Sequence, residues 1–237
     1  MPVSNFPHPI ATPRRSVLPT GDDVHVWTVR HDHAGSHDED AGVLSDAEIV
    51  QFNRLTNVRQ RVRRMHARAA LRRILASYLG TNPARIDIHT GVHGKPCVAG
   101  VEFNCSHAPS VTLVAVAAQP VGVDIEPVAS GDGIEAFRHR FVNESDVAAM
   151  PPSPVPLDLL RVWVTKEACL KAIGTGLAID PRELCVGRAS PEQFEVRRGA
   201  ESKCARLLEV PAGHVAAVAA RALAHVVACD EAAVTHS

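Results

Sequence analysis

VGVDIE, residues 121–126, alternates apolar Val121, Val123 and Ile125 with Gly122, Asp124 and Glu126, the period of a half-buried β-strand. Asp124 and Glu126 therefore leave the same face, about 6.6 Å apart along the strand. Parallel carboxylates at that spacing repel unless positive charge sits between them, and an oxygen-ligated cation such as Mg²⁺ is the usual remedy. A merely charged, solvated strand face is the plainer alternative. Downstream, LRVWVTKEACLKAIGTGL (160–177) places Trp163, Glu167 and Lys171 four residues apart, along one helical stripe. Glu167 is a candidate third ligand, and Lys171 a cation aimed at whatever anion a metal holds. Taken alone, the same two residues make an ordinary surface pair worth a few tenths of a kcal/mol.

Working outward, VTLVAVA (111–117) reads as a buried strand and VHVWTV (24–29) as a first strand. Ser45 with Glu48 is a capping box, so a helix is predicted from there to about Leu55. Residues 60–79 form the strongest helix, stopped at Gly80 and rich in arginine, with Arg61, Arg63 and Arg64 near its start. The His- and Asp-rich stretch 31–40 reads as a solvated connection. Ile86–His89 is a predicted short strand, followed by a turn at HGKP (93–96) that lacks the spacing of a P-loop. Ser106 and His107 are adjacent on extended chain and point apart, which argues against a nucleophile–base dyad. Residues 134–150 read as one broken helix or two short ones, 160–173 as the next, and 184–219 as mostly strand. The last stretch carries no clear pattern.

The order strand, helix, arginine-rich helix is echoed by VGVDIE, the 134–150 helix and the Trp163 helix. This predicts an α+β fold of two similar subdomains, 24–118 and 119–237, with a ligand cleft between them and residues 1–23 as a loose extension.

With 237 residues, 46% hydrophobic, and a net charge of −1, the chain can bury a core and has no global basic field. Non-specific nucleic-acid binding is thereby disfavoured, and 4% aromatic content offers no base-stacking platform. No apolar run approaches the ~20 residues of a membrane span, and the start shows no signal-peptide core. Six dispersed cysteines without a C-x-x-C pair suggest reduced thiols in the cytoplasm.

GKP (94–96), FNCSH (103–107), GVDIE (122–126) and WVTKEACLKAIGTGL (163–177), with ARAALRRILASYLG (67–80) ahead of them, resemble the signature set of the surfactin-type (Sfp-like) 4′-phosphopantetheinyl transferases. The resemblance implies a two-subdomain fold with coenzyme A at the interface. It implies transfer of the phosphopantetheine arm to a serine of an apo acyl- or peptidyl-carrier protein, releasing 3′,5′-ADP, by a monomer. Matched position by position, Asp124, Glu126 and Glu167 correspond to magnesium-binding acids and Lys171 to the active-site lysine. Lys95, Ser106, His107 and Arg63 correspond to coenzyme A contacts. Asp124, Glu167 and Lys171 form the implied catalytic set, and which carboxylate takes the serine proton stays open at this stage. Two rival readings are a non-catalytic coenzyme A or nucleotide sensor, which has no need of three acids, and a metal-dependent phosphohydrolase, which needs no carrier.

Overall fold

In the computed structural model, which describes residues 15–31, 37–91 and 93–235, the alternating stretches are strands and the capped ones helices. The first part of the chain runs β1 (Val24–Arg30), α1 (His37–Ala41), α2 (Asp46–Asn53), α3 (Val58–Leu79), β2 (His89–Thr90), β3 (Pro96–Cys97), β4 (Glu102–His107) and β5 (Val111–Ala117). It continues with β6 (Val121–Pro127), α4 (Ile134–Phe137), α5 (Glu144–Ala149), α6 (Pro156–Ile173), β7 (Cys185–Arg188) and β8 (Gln193–Arg198). β9 (Glu201–Leu207), β10 (His214–Ala220), β11 (Val226–Asp230) and α7 (Ala232–Thr235) complete it. The fold is α+β. Most of the expected N-terminal extension, residues 1–14, and the centre of the His/Asp-rich connection, 32–36, lie outside the described residues.

One sheet has the order β11-β1-β5-β4, and an all-antiparallel sheet has the order β6-β10-β9-β8-β7. The first sheet joins β1, β4 and β5 to the late strand β11, which pairs parallel with β1. Val24, Val26, Leu113 and Ala115 of the first sheet share a buried cluster with Val121, Val123, Ile125 and Val218 of the second. This apolar set of β6 is the one its alternation predicts. The other face is a correction: it is buried too, with Asp124 only 3% exposed, because α6 packs on β6 and β10.

Compactness divides the chain differently from sequence order. Among the described residues, 15–17, 37–87 and 231–235 form a helical unit, and 18–31, 88–91 and 93–230 form a β-rich unit. Within the β-rich unit, Lys166 of α6 is fully buried against Asp146 of α5, with Nζ 2.5 Å from Oδ2. Lys166 also donates to the carbonyls of Phe141 and Pro181, while Asp146 accepts from the amides of Asn143 and Val186. A buried ion pair is tolerable only when its remaining donors and acceptors are satisfied in this way. The pair therefore fixes α6 against α5 and β7.

The helical unit shows the predicted Ser45–Glu48 capping box and the Gly80 stop, at φ 62°. Two predictions fail here. Residues 86–88 are not strand, which begins only at His89: Asn82 and Pro83 set a 3-10 turn, and the Arg72 guanidinium takes the carbonyls of Pro83 and Ile86. The end of the supposed solvated connection is buried: Asp40 accepts from Arg73 and pairs with His66. His66 Nδ1 lies 2.9 Å from Asp40 Oδ2, and Nε2 lies 3.6 Å from Glu231 Oε2. Burial disfavours the imidazolium, but the two acids outweigh it and push the pKa up to about 9. Because the folded value lies above the unfolded 6.5, this stabilisation is complete below pH 6.5 and is lost as pH rises through about 9. Urea midpoints measured across that window are expected to decline in the wild-type chain and to flatten in His66→Gln. Equal slopes in both would show that His66 does not carry the effect.

No helix among the described residues is long and apolar enough to cross a membrane.

Candidate active site

α6 is the element that assembles the site. It starts at Pro156, four residues before the predicted boundary, with proline in the first turn and the Asp158 carboxylate accepting the Val155 amide at 3.1 Å. From Val162 to Ala172 every side chain is buried except Trp163, Glu167 and Lys171. Between Val162 and Ala172, the stripe predicted from spacing is thus the one line of this helix that reaches solvent. Its approach to β6 depends on Gly122. A Cβ there would overlap the Ala168 carbonyl oxygen and the Ala172 amide, and would sit 2.9 Å from the Lys171 carbonyl carbon. The helix backbone rests directly on the strand.

That contact puts Lys171 over Asp124. Lys171 Nζ donates to Asp124 Oδ1 at 2.6 Å and to Ser106 Oγ at 3.1 Å. Ser106 donates to the same Asp124 oxygen at 2.8 Å and accepts the Ile125 amide at 3.3 Å, so its hydroxyl is saturated. β6 is the outer strand of its sheet, and its outward amides need partners from elsewhere. Ser106 serves Ile125, and Asn104 serves Val123 at 2.9 Å. Asn104 was missed in the sequence; the alternation of Asn104 and Ser106 along FNCSH is the signal that places both on one side of β4.

The acids are held under electrostatic tension. Burial, then the charge of Asp124, raises Glu126 above the ordinary carboxylate range, opposed by Lys171 and by hydrogen bonds from Ser130 and Trp163. Glu167 is raised by burial and by the charges of Asp124 and Glu126, again opposed by Lys171. The Trp163 indole, braced edge-on against Phe141 at 5.2 Å between ring centres, is the second residue sequence reading left without a role. Among the described residues, no three His, Cys, Asp or Glu side chains already stand as a closed metal cage. The donor chemistry nevertheless fits a hard cation: Asp124 Oδ2 and Glu167 Oε1 are buried with no hydrogen-bond partner among the described residues, and all the candidate ligands are oxygens.

Of the expected site residues, Asp124, Glu126, Glu167, Lys171 and Ser106 come together. His107 is exposed where Ser106 is buried, the divergence predicted for neighbours on a strand, and its Nδ1 lies 2.8 Å from Thr112 Oγ1. Lys95 follows Gly94, whose φ of 81° makes the tight HGKP turn, and its ammonium donates to the Val121 and Lys171 carbonyls at 3.1 and 3.2 Å. Arg63 belongs to the helical unit and is exposed on α3.

The sequence pattern of the 4′-phosphopantetheinyl transferase superfamily (ACPS) matches residues 120–219, which include β6 and α6. HetI, a 4′-phosphopantetheinyl transferase of Nostoc sp. (strain PCC 7120), is 30% identical over 186 residues, covering 73% of this chain and 78% of that protein. The chain belongs to this family. As a 4′-phosphopantetheinyl transferase by family it is an enzyme. It is also similar to the 4′-phosphopantetheinyl transferase gsp of Aneurinibacillus migulanus, at 27% identity over 57% of this chain and 58% of that one. A 4′-phosphopantetheinyl transferase of Bacillus subtilis is 27% identical over 62% of this chain and 67% of its own.

Proposed function

We propose that this phosphopantetheinyl transferase is of the surfactin type and moves the 4′-phosphopantetheine arm of coenzyme A to a serine of an apo acyl- or peptidyl-carrier protein, releasing 3′,5′-ADP. One observation carries the reading: Lys171, Ser106 and Asp124 form a single hydrogen-bonded unit beside two further acids with raised pKa values.

The serine oxygen attacks the phosphorus that carries pantetheine, and the bond to the 3′,5′-ADP oxygen breaks. Such a transfer gives the protein little covalent work, so positioning and charge neutralisation supply most of the rate. Lys171 presents a cation to the diphosphate, with Ser106 and Asp124 fixing its ammonium. His107 is assigned to coenzyme A binding, and so, on the resemblance alone, is Arg63. Glu167, which with Lys171 lies on the partly exposed stripe of α6, is assigned to take the serine proton. Asp124, Glu126 and Glu167 are the residues that would hold Mg²⁺, which when bound supplies neutralisation of charge on the leaving phosphate. The unpartnered oxygens of Asp124 and Glu167 support that assignment. All these residues but Arg63 lie in the β-rich unit of one chain, in keeping with a monomer, and six free thiols suit the cytoplasm.

The deciding assay is incubation with coenzyme A, Mg²⁺ and an apo carrier protein, followed by weighing the carrier. Gain of one phosphopantetheine is expected; no gain with any carrier class, or consumption of coenzyme A without a carrier, would refute transfer. A binding arm needs no turnover. Glu126 and Glu167 have folded pKa values above their unfolded 4.5, so their contribution to stability is lost as pH rises through those values. Mg²⁺ at neutral pH is therefore expected to raise the unfolding temperature, by about 2.7 kcal/mol of stability at a hundredfold excess over Kd. The same ion should leave Glu167→Gln nearly unmoved. An equal rise in both chains would remove Glu167 from the ligand set.

A further inference from the structure

The free edge of β6 is lined by three side chains from one short stretch of sequence. Asn104 takes the Val123 amide, Ser106 takes the Ile125 amide, and Lys95 donates to the Val121 carbonyl at 3.1 Å. Lys95 differs from the other two in reaching a second element. Its ammonium also donates to the Lys171 carbonyl at 3.2 Å. That carbonyl lies in the last turn of α6, where the helix leaves its carbonyls without intrahelical partners and where its dipole favours a cation. The two acceptors flank the place where helix and strand backbones touch, since a Cβ on Gly122 would meet the Ala168 oxygen, the Ala172 nitrogen and the Lys171 carbonyl carbon.

We infer that Lys95 is a positioning residue for Lys171: it pins the last turn of α6 to the edge of β6, so that the Lys171 side chain reaches Asp124 and Ser106. This assigns Lys95 a task other than contact with coenzyme A, the task implied by its place in the GKP motif. Lys171 is then held at both ends, its carbonyl by Lys95 and its ammonium by Asp124 Oδ1 at 2.6 Å. A helix end freed from the strand by a fraction of an ångström carries that ammonium with it, and misplacement of a charge-bearing group lowers turnover more than it lowers substrate binding. The half-buried surroundings of Lys95 lower its pKa through desolvation, in keeping with an ammonium turned inward to backbone acceptors.

The catalytic side of this inference rests on the transferase reading above, and its structural side does not. The test uses the full chain with Lys95→Met, which keeps the length of the stem and removes the donors. Lys95→Gln, which keeps an N–H donor and drops the charge, is the second variant. In the absence of coenzyme A, hydrogen exchange at the amides of 172–174 is expected to speed up about tenfold in Lys95→Met and less in Lys95→Gln. With coenzyme A and carrier, kcat is expected to fall about tenfold while KM for coenzyme A stays within about twofold. A large rise in KM with unchanged kcat and unchanged exchange would make Lys95 a coenzyme A contact and overturn the inference. No change in any readout would overturn it equally. If the wild-type chain transfers nothing, the transferase reading fails, and the exchange measurement still decides the role of Lys95. Should Lys95→Met not fold, Lys95→Gln alone decides: faster exchange at 172–174 upholds the pin, and wild-type exchange rejects it.

Discussion

Asp124→Asn is expected to cut kcat/KM for carrier modification by about a thousandfold or more, the scale on which loss of a preorganised charge acts at a transition state. The substitution keeps shape and keeps an oxygen able to accept from Ser106 and Lys171, whose donors lie 2.8 and 2.6 Å from Asp124 Oδ1. What it removes is the negative charge that draws Lys171 inward and that raises both Glu126 and Glu167. The fold should survive, because the Lys171 side chain is 24% exposed and water can solvate its freed ammonium. Steady-state kinetics with near-ultraviolet circular dichroism separate the two effects. A correctly folded Asp124→Asn chain with turnover within about threefold of wild type would show that the chemistry lies elsewhere.

Gly122→Ala carries the largest expected loss of stability. One methyl group has to enter a space already held by the Ala168 carbonyl oxygen and the Ala172 amide, and both are helix backbone, which cannot rotate aside. Overpacking of ordinary cores costs about 1–3 kcal/mol, and a backbone obstacle on this scale belongs at about 3 kcal/mol or beyond. Moving α6 outward to relieve the overlap would also withdraw Glu167 and Lys171 from Asp124, so activity should fall along with stability. Gly187→Ala on β7 is the control: its nearest neighbour, the Glu195 carbonyl oxygen, would lie 3.5 Å from the new carbon, an ordinary contact worth within about 0.5 kcal/mol. Urea unfolding of the two variants checks this. Equal midpoints would mean that helix and strand are less closely seated than the backbone contact indicates.

How legible these features were depended on the range of the interaction. The alternation of VGVDIE named the two faces of β6 correctly, and the four-residue spacing of Trp163, Glu167 and Lys171 named the solvent-reaching line of α6. The Ser45–Glu48 capping box and the Gly80 stop were equally readable, since each is closed by residues three or four positions apart. β11 was not readable. Its pattern is weak, and it exists because it lies beside β1, with Val226 opposite Val24. α6 starts four residues ahead of the predicted boundary because Pro156 opens it, proline being favoured in a first helical turn.

The chain by itself determined which side chains share a face, because strand and helix periods are local geometry. It thereby named Asp124, Glu126, Glu167 and Lys171 as a set. Only the tertiary structure decided what they meet: the second buried face of β6, the Asn104 and Ser106 bonds to its edge, the Lys166–Asp146 pair beneath α6, and the inward turn of Lys95. Those contacts join residues 19 to 76 positions apart, and a hydrogen bond across such a separation forms only where packing of the whole unit has already brought its two ends together.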